Sequence, residues 1–229
     1  MKIRYKHQRF QAEATKCVSD VFRGQPKHDG SRTFLNKFGA LNFDGFGNLP
    51  LVLDNESICE NVRGIQMAEG LKPVEHLEGD GRTFTIEMET GTGKTYTYIK
   101  TLYELSARYG WAKFVIVVPS IAIREGVFKS FESMAEHFAE EYGKRMQYFI
   151  YNSKQLAKID AFASDNGIHV MIINTQAFNA SLNEDKNKEG RAGDAAARII
   201  FSRRDEFGSR KPIDILAKTN PILIIDEPQ

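Results

Sequence analysis

The segment TFTIEMETGTGKTYTY, residues 83–98, constrains the fold more than any other part of the chain. An apolar run ends near Met88, a loop with two glycines follows, and a helix is predicted to begin at Lys94. A strand, a glycine loop and a helix in this order form the phosphate-binding turn of α/β proteins. The strict GxxxxGK[ST] pattern has glycine where Met88 stands. Gly91 and Gly93 nevertheless allow backbone N–H groups to turn inward around an anion.

The residues around this loop are the types that bind a nucleotide. Lys94 supplies a positive charge to the β- and γ-phosphates, and the hydroxyl of Thr95 can ligate Mg²⁺. The N-terminus of the following helix adds aligned N–H groups and a partial positive charge. We therefore expect ATP and Mg²⁺ as cofactors, bound by Thr90, Gly91, Thr92, Gly93, Lys94 and Thr95.

Short apolar runs alternate along the chain with amphipathic stretches of helical length, which is typical of βαβ units and a parallel sheet. The predicted strands are Phe84–Met88, Phe114–Val118, Gln147–Tyr151, His169–Ile173 and Ile222–Asp226. The predicted helices are Arg9–Phe22, Lys94–Tyr109, Ile121–Tyr142 and Lys154–Ala163. The fold class is therefore α/β with a mainly parallel sheet.

Composition narrows the class of protein. The chain has 229 residues, 41% of them hydrophobic, with 31 basic and 30 acidic side chains. A net charge of +1 excludes a protein that coats nucleic acid through bulk charge, so any DNA contact must come from a local patch. Cys17 and Cys59 form no paired framework, which indicates a reducing compartment. No apolar run is long enough for a secretory signal or a membrane helix, so we expect a cytoplasmic protein.

The last nine residues, PILIIDEPQ, form a second motif: an apolar strand that ends in two carboxylates. In phosphoryl-transfer enzymes the first acid at such a strand end holds Mg²⁺, a role that falls here on Asp226. The next acid, Glu227, can orient and deprotonate an attacking water. A solvated strand end explains the pair equally well when it is considered alone. Together with the glycine loop it predicts a catalytic site, with Lys94, Asp226 and Glu227 as catalytic residues.

Beyond these two motifs, the sequence as a whole is similar to that of a known family. METGTGKT, VVPSIAIREGV, YNSKQL, IINTQAF and NPILIIDEPQ, in this order, resemble the first motor lobe of type III restriction endonuclease Res subunits, which are superfamily 2 helicases and translocases. The resemblance runs from about Tyr5 to Gln229. It implies a P-loop (RecA-like) three-layer fold, incomplete at its C-terminal end. The implied organisation is a Q motif near 5–15, a P-loop core at 83–180 and the DEPQ strand at 221–229. The Gly- and Pro-containing stretch 23–82 and the charged, glycine-dotted stretch 181–211 interrupt the alternating pattern, and we interpret both as insertions.

The resemblance also implies roles near the N-terminus. Phe10 and Gln11, in RFQAEA, resemble the Q motif, whose glutamine reads the adenine edge of ATP. Gln8 is a rival for this role because it lies one helical turn away. A third interpretation is a surface glutamine on an amphipathic helix.

DNA-contacting residues are implied in two further segments. Pro119, Ser120 and Arg124 resemble motif Ia, which touches the DNA backbone, and Thr175 and Gln176 occupy the place of a later DNA-contact motif. Ser120 can cap a helix whose N–H groups face a phosphate, with Arg124 about one turn further on. Arg124 could equally pair with a local acid such as Glu125. Trp111 and His169 are assigned to packing.

The family implies an ATP-dependent type III deoxyribonuclease that acts on double-stranded DNA with a methyltransferase (Mod) partner. We expect a second lobe, which carries the arginine finger, and a PD-(D/E)xK nuclease domain to be absent from these 229 residues. The isolated chain is then inactive or weakly active. Two alternatives stay open: a superfamily 2 DNA helicase or translocase without nuclease activity, and a truncated nucleotide-binding remnant with little catalysis.

Overall fold

The structure, a computed structural model, describes residues 5–27, 33–35, 41–152, 155, 157–176 and 212–227. For 33–35, 41–45 and 212 it describes the backbone alone. The chain divides into two compact units. The first comprises Met1–His28 and Pro50–Gly110, and the second comprises Asp29–Leu49 and Trp111–Gln229.

The first unit contains three helices: α1 (Arg9–Asp20), α2 (Asn55–Ala68) and α3 (Lys94–Tyr109). Helix α2 begins where the Asp54 side chain accepts a hydrogen bond from the backbone N–H of Ser57, at 2.8 Å. This is the usual N-cap arrangement, in which a carboxylate satisfies a free N–H group of the first turn. Helix α1 packs on α3, and α2 packs on α1.

The second unit is built around a sheet of four parallel strands: β3 (Lys113–Val118), β4 (Gln147–Ile150), β5 (His169–Asn174) and β6 (Ile222–Ile225). Their order across the sheet is β4-β5-β3-β6. Every residue of β3 and β5 is buried. Their nearly continuous apolar sequences, KFVIVV and HVMIIN, are what a parallel strand covered on both faces requires.

Helices cover both faces of this sheet: α4 (Ile121–Tyr142) on one, and α5 (Ala157–Ser164) with α6 (Pro212–Lys218) on the other. On the α4 face, the rings of Phe131 and Tyr148 lie 5.2 Å apart. On the other face, α5 and α6 share a core with alternate strand residues: Val115, Val117, Phe149, Met171 and Ile173. Alternation along the strands sends neighbouring side chains to opposite faces. The fold is α/β with helix, parallel sheet and helix layers, and it is consistent with a RecA-like P-loop fold.

Most of the predicted elements are confirmed. The predicted bounds of α3 and α4 coincide with those of the structure, and α1 ends two residues before the predicted Phe22. The four predicted strands of the second unit match β3 to β6 to within one residue at each end. The predicted helix at Lys154–Ala163 corresponds to α5, although Lys154 itself lies outside the described residues.

One predicted strand, Phe84–Met88, is wrong. These residues adopt no strand, and Ile86 is 50% exposed. The ring of Phe84 packs edge-on against Phe22 of the first unit, at 5.7 Å, instead of entering a sheet. The physical reason lies in the alternation of the sequence TFTIEM, which places polar side chains at every second position. A strand covered on both faces needs apolar side chains on both.

The segment 23–82, predicted as an insertion, contains regular structure. Besides α2, it includes an antiparallel pair, β1 (Thr33–Leu35) and β2 (Leu41–Phe46). Ile58, Val62 and Ile65 recur at helical spacing after the capping Asp54, so the sequence carried the signal for α2. The charged segment 181–211 lies outside the described residues.

Candidate functional site

The glycine loop of residues 89–93 leads directly into α3. Gly91 and Gly93 have φ angles of 80° and 89°, in the left-handed region that glycine tolerates. Thr92 closes the turn, because its hydroxyl donates to the carbonyl oxygen of Glu89 at 2.6 Å. Gly93 is the N-cap of α3, where no side chain caps the helix and the first turn contains no acidic residue. The first N–H groups of α3 therefore lie without an acidic neighbour in their own turn, as an anion site requires.

Lys94 and Thr95 are the first two residues of α3 and are partly exposed. Thr90 and Gly91 are exposed on the loop before them. The six predicted cofactor residues of this segment, 90–95, therefore span the glycine loop and the first two residues of α3. It does not place a strand before them, so the predicted strand–loop–helix order holds only for the loop and the helix.

Gln11 is the glutamine that reaches this loop. Its Nε2 donates to the carbonyl oxygen of Thr92 at 2.9 Å, and the side chain is buried. A Cβ atom built on Gly93 would lie only 2.4 Å from the same Nε2. Gln8 is the N-cap residue of α1 and makes no side-chain cap, while Phe10 is 47% exposed. Of the two candidate glutamines, Gln11 is therefore the one whose side chain contacts the glycine loop.

The contact between α1 and α3 is polar. The buried residues of α1 are Gln11, Thr15 and Ser19, which lie one turn apart along the helix. The hydroxyl of Tyr109 donates to the carbonyl oxygen of Ser19 at 2.8 Å, and the Arg108 guanidinium pairs with Asp20 at 2.7 Å. This stripe joins the helix that carries Gln11 to the helix that follows the loop. Apolar periodicity in the sequence does not indicate this stripe, because its members carry hydroxyl and amide groups.

In the second unit, β6 ends at the two predicted carboxylates. The backbone N–H of Asp226 donates to the carbonyl oxygen of Val117 at 2.9 Å, which extends the pairing of β6 with β3 by one residue. Asp226 is partly exposed and Glu227 is exposed. Glu227 has a φ of 54°, a left-handed conformation that is unusual for a residue with a side chain. Such conformations are enriched at functional sites.

The carboxyl ends of β3 and β5 bring the two predicted DNA-contact segments together. Val118 pairs with Asn174 in the sheet register, so Pro119 and Thr175 follow side by side. The hydroxyl of Thr175 donates to the carbonyl oxygen of Pro119 at 3.2 Å, and Gln176 next to it is exposed. Pro119, Thr175 and Gln176 thus lie at one edge of the sheet, which we call the polar edge. Its formation could be predicted only from knowledge of the strand order.

Ser120 caps α4, as expected: its Oγ accepts from the N–H of Ile123 at 3.2 Å. Arg124 pairs with Glu125 at 3.0 Å. This is the local ion pair that the sequence analysis offered as the alternative to a DNA contact. Its guanidinium also donates to the side-chain oxygen of Asn174 at 3.4 Å. Asn174 is buried and was not predicted as a site residue.

The amino ends of β3 and β5 hold a buried cation, Lys113, that the sequence did not single out. Its Nζ donates to the carbonyl oxygens of Asp165 and Gly167 and lies 5.6 Å from the centre of the Phe162 ring. Burial lowers the pKa of Lys113 to about 8, against the opposing attraction of Asp165. Burial and the nearby Lys113 also lower the pKa of His169, which lies 3.3 Å from Asp165.

This cluster lies at the opposite end of β3 and β5 from the polar edge, which favours a packing role for His169. Trp111 is also buried, and its Nε1 donates to the carbonyl oxygen of Leu49 at 3.1 Å. Within the part of the chain that the structure describes, no three His, Cys, Asp or Glu side chains cluster to hold a metal ion. Among the described helices, none combines the length and the apolar character of a membrane-spanning segment.

The fold and the glycine loop define an α/β protein of the P-loop class. Within that class, the model of the family "Type III restriction enzyme, res subunit" matches residues 56–228. The chain belongs to this family, and the resemblance found in the sequence is confirmed. This identifies the chain as part of a helicase-like motor region of the type III restriction enzymes.

Individual relatives agree with the family match. The chain is 28% identical over 199 residues to the Res subunit of the type III restriction-modification enzyme EcoP15I of Escherichia coli, covering 79% of this chain and 19% of the relative. It is 28% identical over 200 residues to the EcoPI Res subunit of Escherichia phage P1, again covering 79% and 19%. The StyLTI Res subunit of Salmonella typhimurium is 34% identical over 168 residues, which are 65% of this chain and 16% of the relative. The chain thus spans less than a fifth of the length of these relatives.

Proposed function

We propose that these 229 residues form the first, ATP-binding RecA-like lobe of a type III Res motor that acts on double-stranded DNA. The observation that carries the proposal is the loop before α3. Two glycines with positive φ lead into a helix start that has neither a capping side chain nor an acidic first turn. That combination suits the phosphates of a nucleotide.

The residues of the loop have distinct tasks in this proposal. The N–H groups at the start of α3 and the ammonium group of Lys94 bind the phosphates, and the hydroxyl of Thr95 is placed to ligate Mg²⁺. Gln11 holds the carbonyl of Thr92 and so supports the loop from α1. Bound ATP with Mg²⁺ would supply a phosphoanhydride bond whose hydrolysis by water, to ADP and phosphate, provides the free energy for motion along DNA.

The carboxylates after β6 complete the hydrolytic part of the proposal. Asp226 is the acid expected to hold Mg²⁺, and Glu227 is expected to orient a water and take its proton. The left-handed backbone of Glu227 supports this role, because strain of about 1–3 kcal/mol is retained where the surrounding structure enforces it. The remaining residues of the site lie in the part of a Res subunit that corresponds to the second lobe.

The polar edge at the carboxyl ends of β3 and β5 is the proposed DNA contact. Pro119, Ser120 and Arg124 present a capped helix start and a cation, and Thr175 and Gln176 lie beside them. Such groups bind phosphodiesters without reading sequence. The relatives are named as Res subunits of restriction-modification enzymes. We therefore propose that sequence reading belongs to a Mod partner and that cleavage of DNA belongs to a nuclease domain outside these residues.

The catalytic assignment is tested in the complete Res subunit to which we assign this lobe. Lys94→Ala is expected to weaken ATP binding by at least about tenfold and to abolish DNA-stimulated turnover. Glu227→Gln is expected to keep ATP binding and to lose turnover by at least about a hundredfold, because only the proton acceptor is removed. Glu78→Gln, an exposed acid of the first unit, is the control. Unchanged turnover in Glu227→Gln would refute the role of Glu227.

A further inference from the structure

Arg124 is held from two sides at the polar edge. Its guanidinium donates to the buried Asn174 at 3.4 Å and pairs with Glu125 at 3.0 Å. A guanidinium has five N–H donors, so these two partners leave donors for a further ligand. Arg124 is 20% exposed and Glu125 is 50% exposed, so the carboxylate partner lies on the solvent side.

The two partners differ in how firmly they are fixed. Asn174 is the last residue of β5, opposite Val118 in the register, and its position is set by the sheet. Glu125 is a neighbour of Arg124 on α4, and its half-exposed carboxylate exchanges its partner for water easily. An amide oxygen holds a guanidinium without neutralising it, whereas a carboxylate neutralises it.

A phosphodiester competes for the same donors as the carboxylate. Both are anions that a guanidinium binds through paired N–H groups. The first turn of α4 contains no acidic residue. Among the residues that the structure describes, Glu125 is the acid that pairs with Arg124. Replacing Glu125 by a phosphate would leave the contact with Asn174 intact.

We propose that Asn174 is a positioning residue for Arg124, which it holds ready for a phosphodiester of the DNA backbone, and that Glu125 is the counter-ion the phosphodiester displaces. The inference rests on the proposed DNA contact and deepens it. Holding the long Arg124 side chain in place reduces the conformational entropy lost when DNA binds. Removal of Glu125 removes a competitor.

The test measures binding of the 229-residue chain to a fluorescent DNA duplex by anisotropy, between about 50 and 200 mM salt. Arg124→Ala is expected to weaken binding about five- to tenfold and to lower the slope of log affinity against log salt by about one. Asn174→Ala is expected to weaken binding about threefold, and Glu125→Gln to strengthen it about threefold. Lys129→Ala and Glu132→Gln, charge changes further along α4, control for the general loss or gain of one charge.

The decisive readout is the pair of double variants. In the Arg124→Ala background, Asn174→Ala and Glu125→Gln are both expected to have no further effect, because the residue on which they act is gone. An Asn174→Ala effect that persists in this background would show a structural role and overturn the inference. Glu125→Gln keeps the test sound if Asn174→Ala fails to fold. Full DNA affinity in Arg124→Ala would instead overturn the proposed DNA contact itself.

Discussion

Among single residues, the two glycines of the glycine loop differ in the space that surrounds them. Both have positive φ, but a Cβ on Gly91 would meet nothing within 4 Å, whereas one on Gly93 would lie 2.4 Å from Gln11. The sequence motif predicted that both positions need glycine. It could not predict that Gly93 is also the point where α1 approaches the loop, since residues 11 and 93 are far apart along the chain.

We predict that Gly93→Ala impairs nucleotide binding more than Gly91→Ala. Gly91→Ala incurs only the cost of a left-handed alanine, about 1–2 kcal/mol. Gly93→Ala incurs the same cost and must also displace the buried Gln11 side chain. Calorimetric titration of both variants with Mg-ADP, together with their melting temperatures, checks this. Equal losses in the two variants would show that the Gln11 contact is unimportant.

Lys113 yields a prediction about pH. Its folded pKa of about 8 lies below its ordinary value of 10.5, so the unfolded chain binds more protons between these two values. The contribution of Lys113 to stability therefore rises as the pH increases from about 8 to 10.5, by up to about 3 kcal/mol. Below pH 8 the cost of burying the cation is constant.

Urea unfolding of the wild-type chain and Lys113→Met across this pH range measures the effect. The difference between their free energies of unfolding should change in favour of the wild type as the pH rises, because methionine does not titrate. A difference that stays constant with pH would mean that Lys113 keeps an ordinary pKa in the folded chain.

Among secondary-structure elements, the buried strands were predicted correctly from the sequence, whereas a segment with alternating polar positions was not. KFVIVV and HVMIIN are apolar enough to be recognised as strands covered on both faces, and Gly110 and Gly143 mark the ends of α3 and α4 with left-handed C-caps. TFTIEM was predicted as a strand from its β-prone residues, but its alternating polar positions do not suit a doubly covered strand. Local pattern fails there because strand formation depends on partners distant in sequence.

Asn48 connects secondary-structure elements through hydrogen bonds that no sequence pattern indicated. Its buried side chain donates to the carbonyl oxygen of Lys113 at 2.7 Å and accepts from the N–H groups of Ala112 and Lys113, at 2.7 and 2.9 Å. Its backbone N–H donates to the carbonyl oxygen of Thr219 at 2.8 Å. One asparagine thus joins the start of β3 to the turn between α6 and β6.

We predict that Asn48→Ala destabilises the chain by about 2–4 kcal/mol, because it leaves buried backbone groups without partners. Asn166→Ala, at an exposed position, is the matched control and should change the free energy of unfolding by less than about 0.5 kcal/mol. Denaturant unfolding of both variants makes the comparison. Similar values would contradict the role of Asn48.

At the scale of the whole molecule, the α/β class and the family could be predicted from the order of short motifs. The division into two units could not, because it depends on contacts between residues distant in sequence. The phosphate loop belongs to the first unit and the carboxylates after β6 belong to the second. The proposed motor function therefore requires that the glycine loop of the first unit binds nucleotide in this chain.

Titration of the 229-residue chain with Mg-ADP and Mg-ATP by calorimetry tests that claim most directly. We expect weak but saturable binding by the wild type and by Lys100→Ala, a control on the same helix. Lys94→Ala should weaken binding by at least about tenfold, which corresponds to about 1.4 kcal/mol of lost phosphate interaction. Absence of binding in the wild type, or equal affinity in Lys94→Ala, would contradict the assignment of the loop as a nucleotide site.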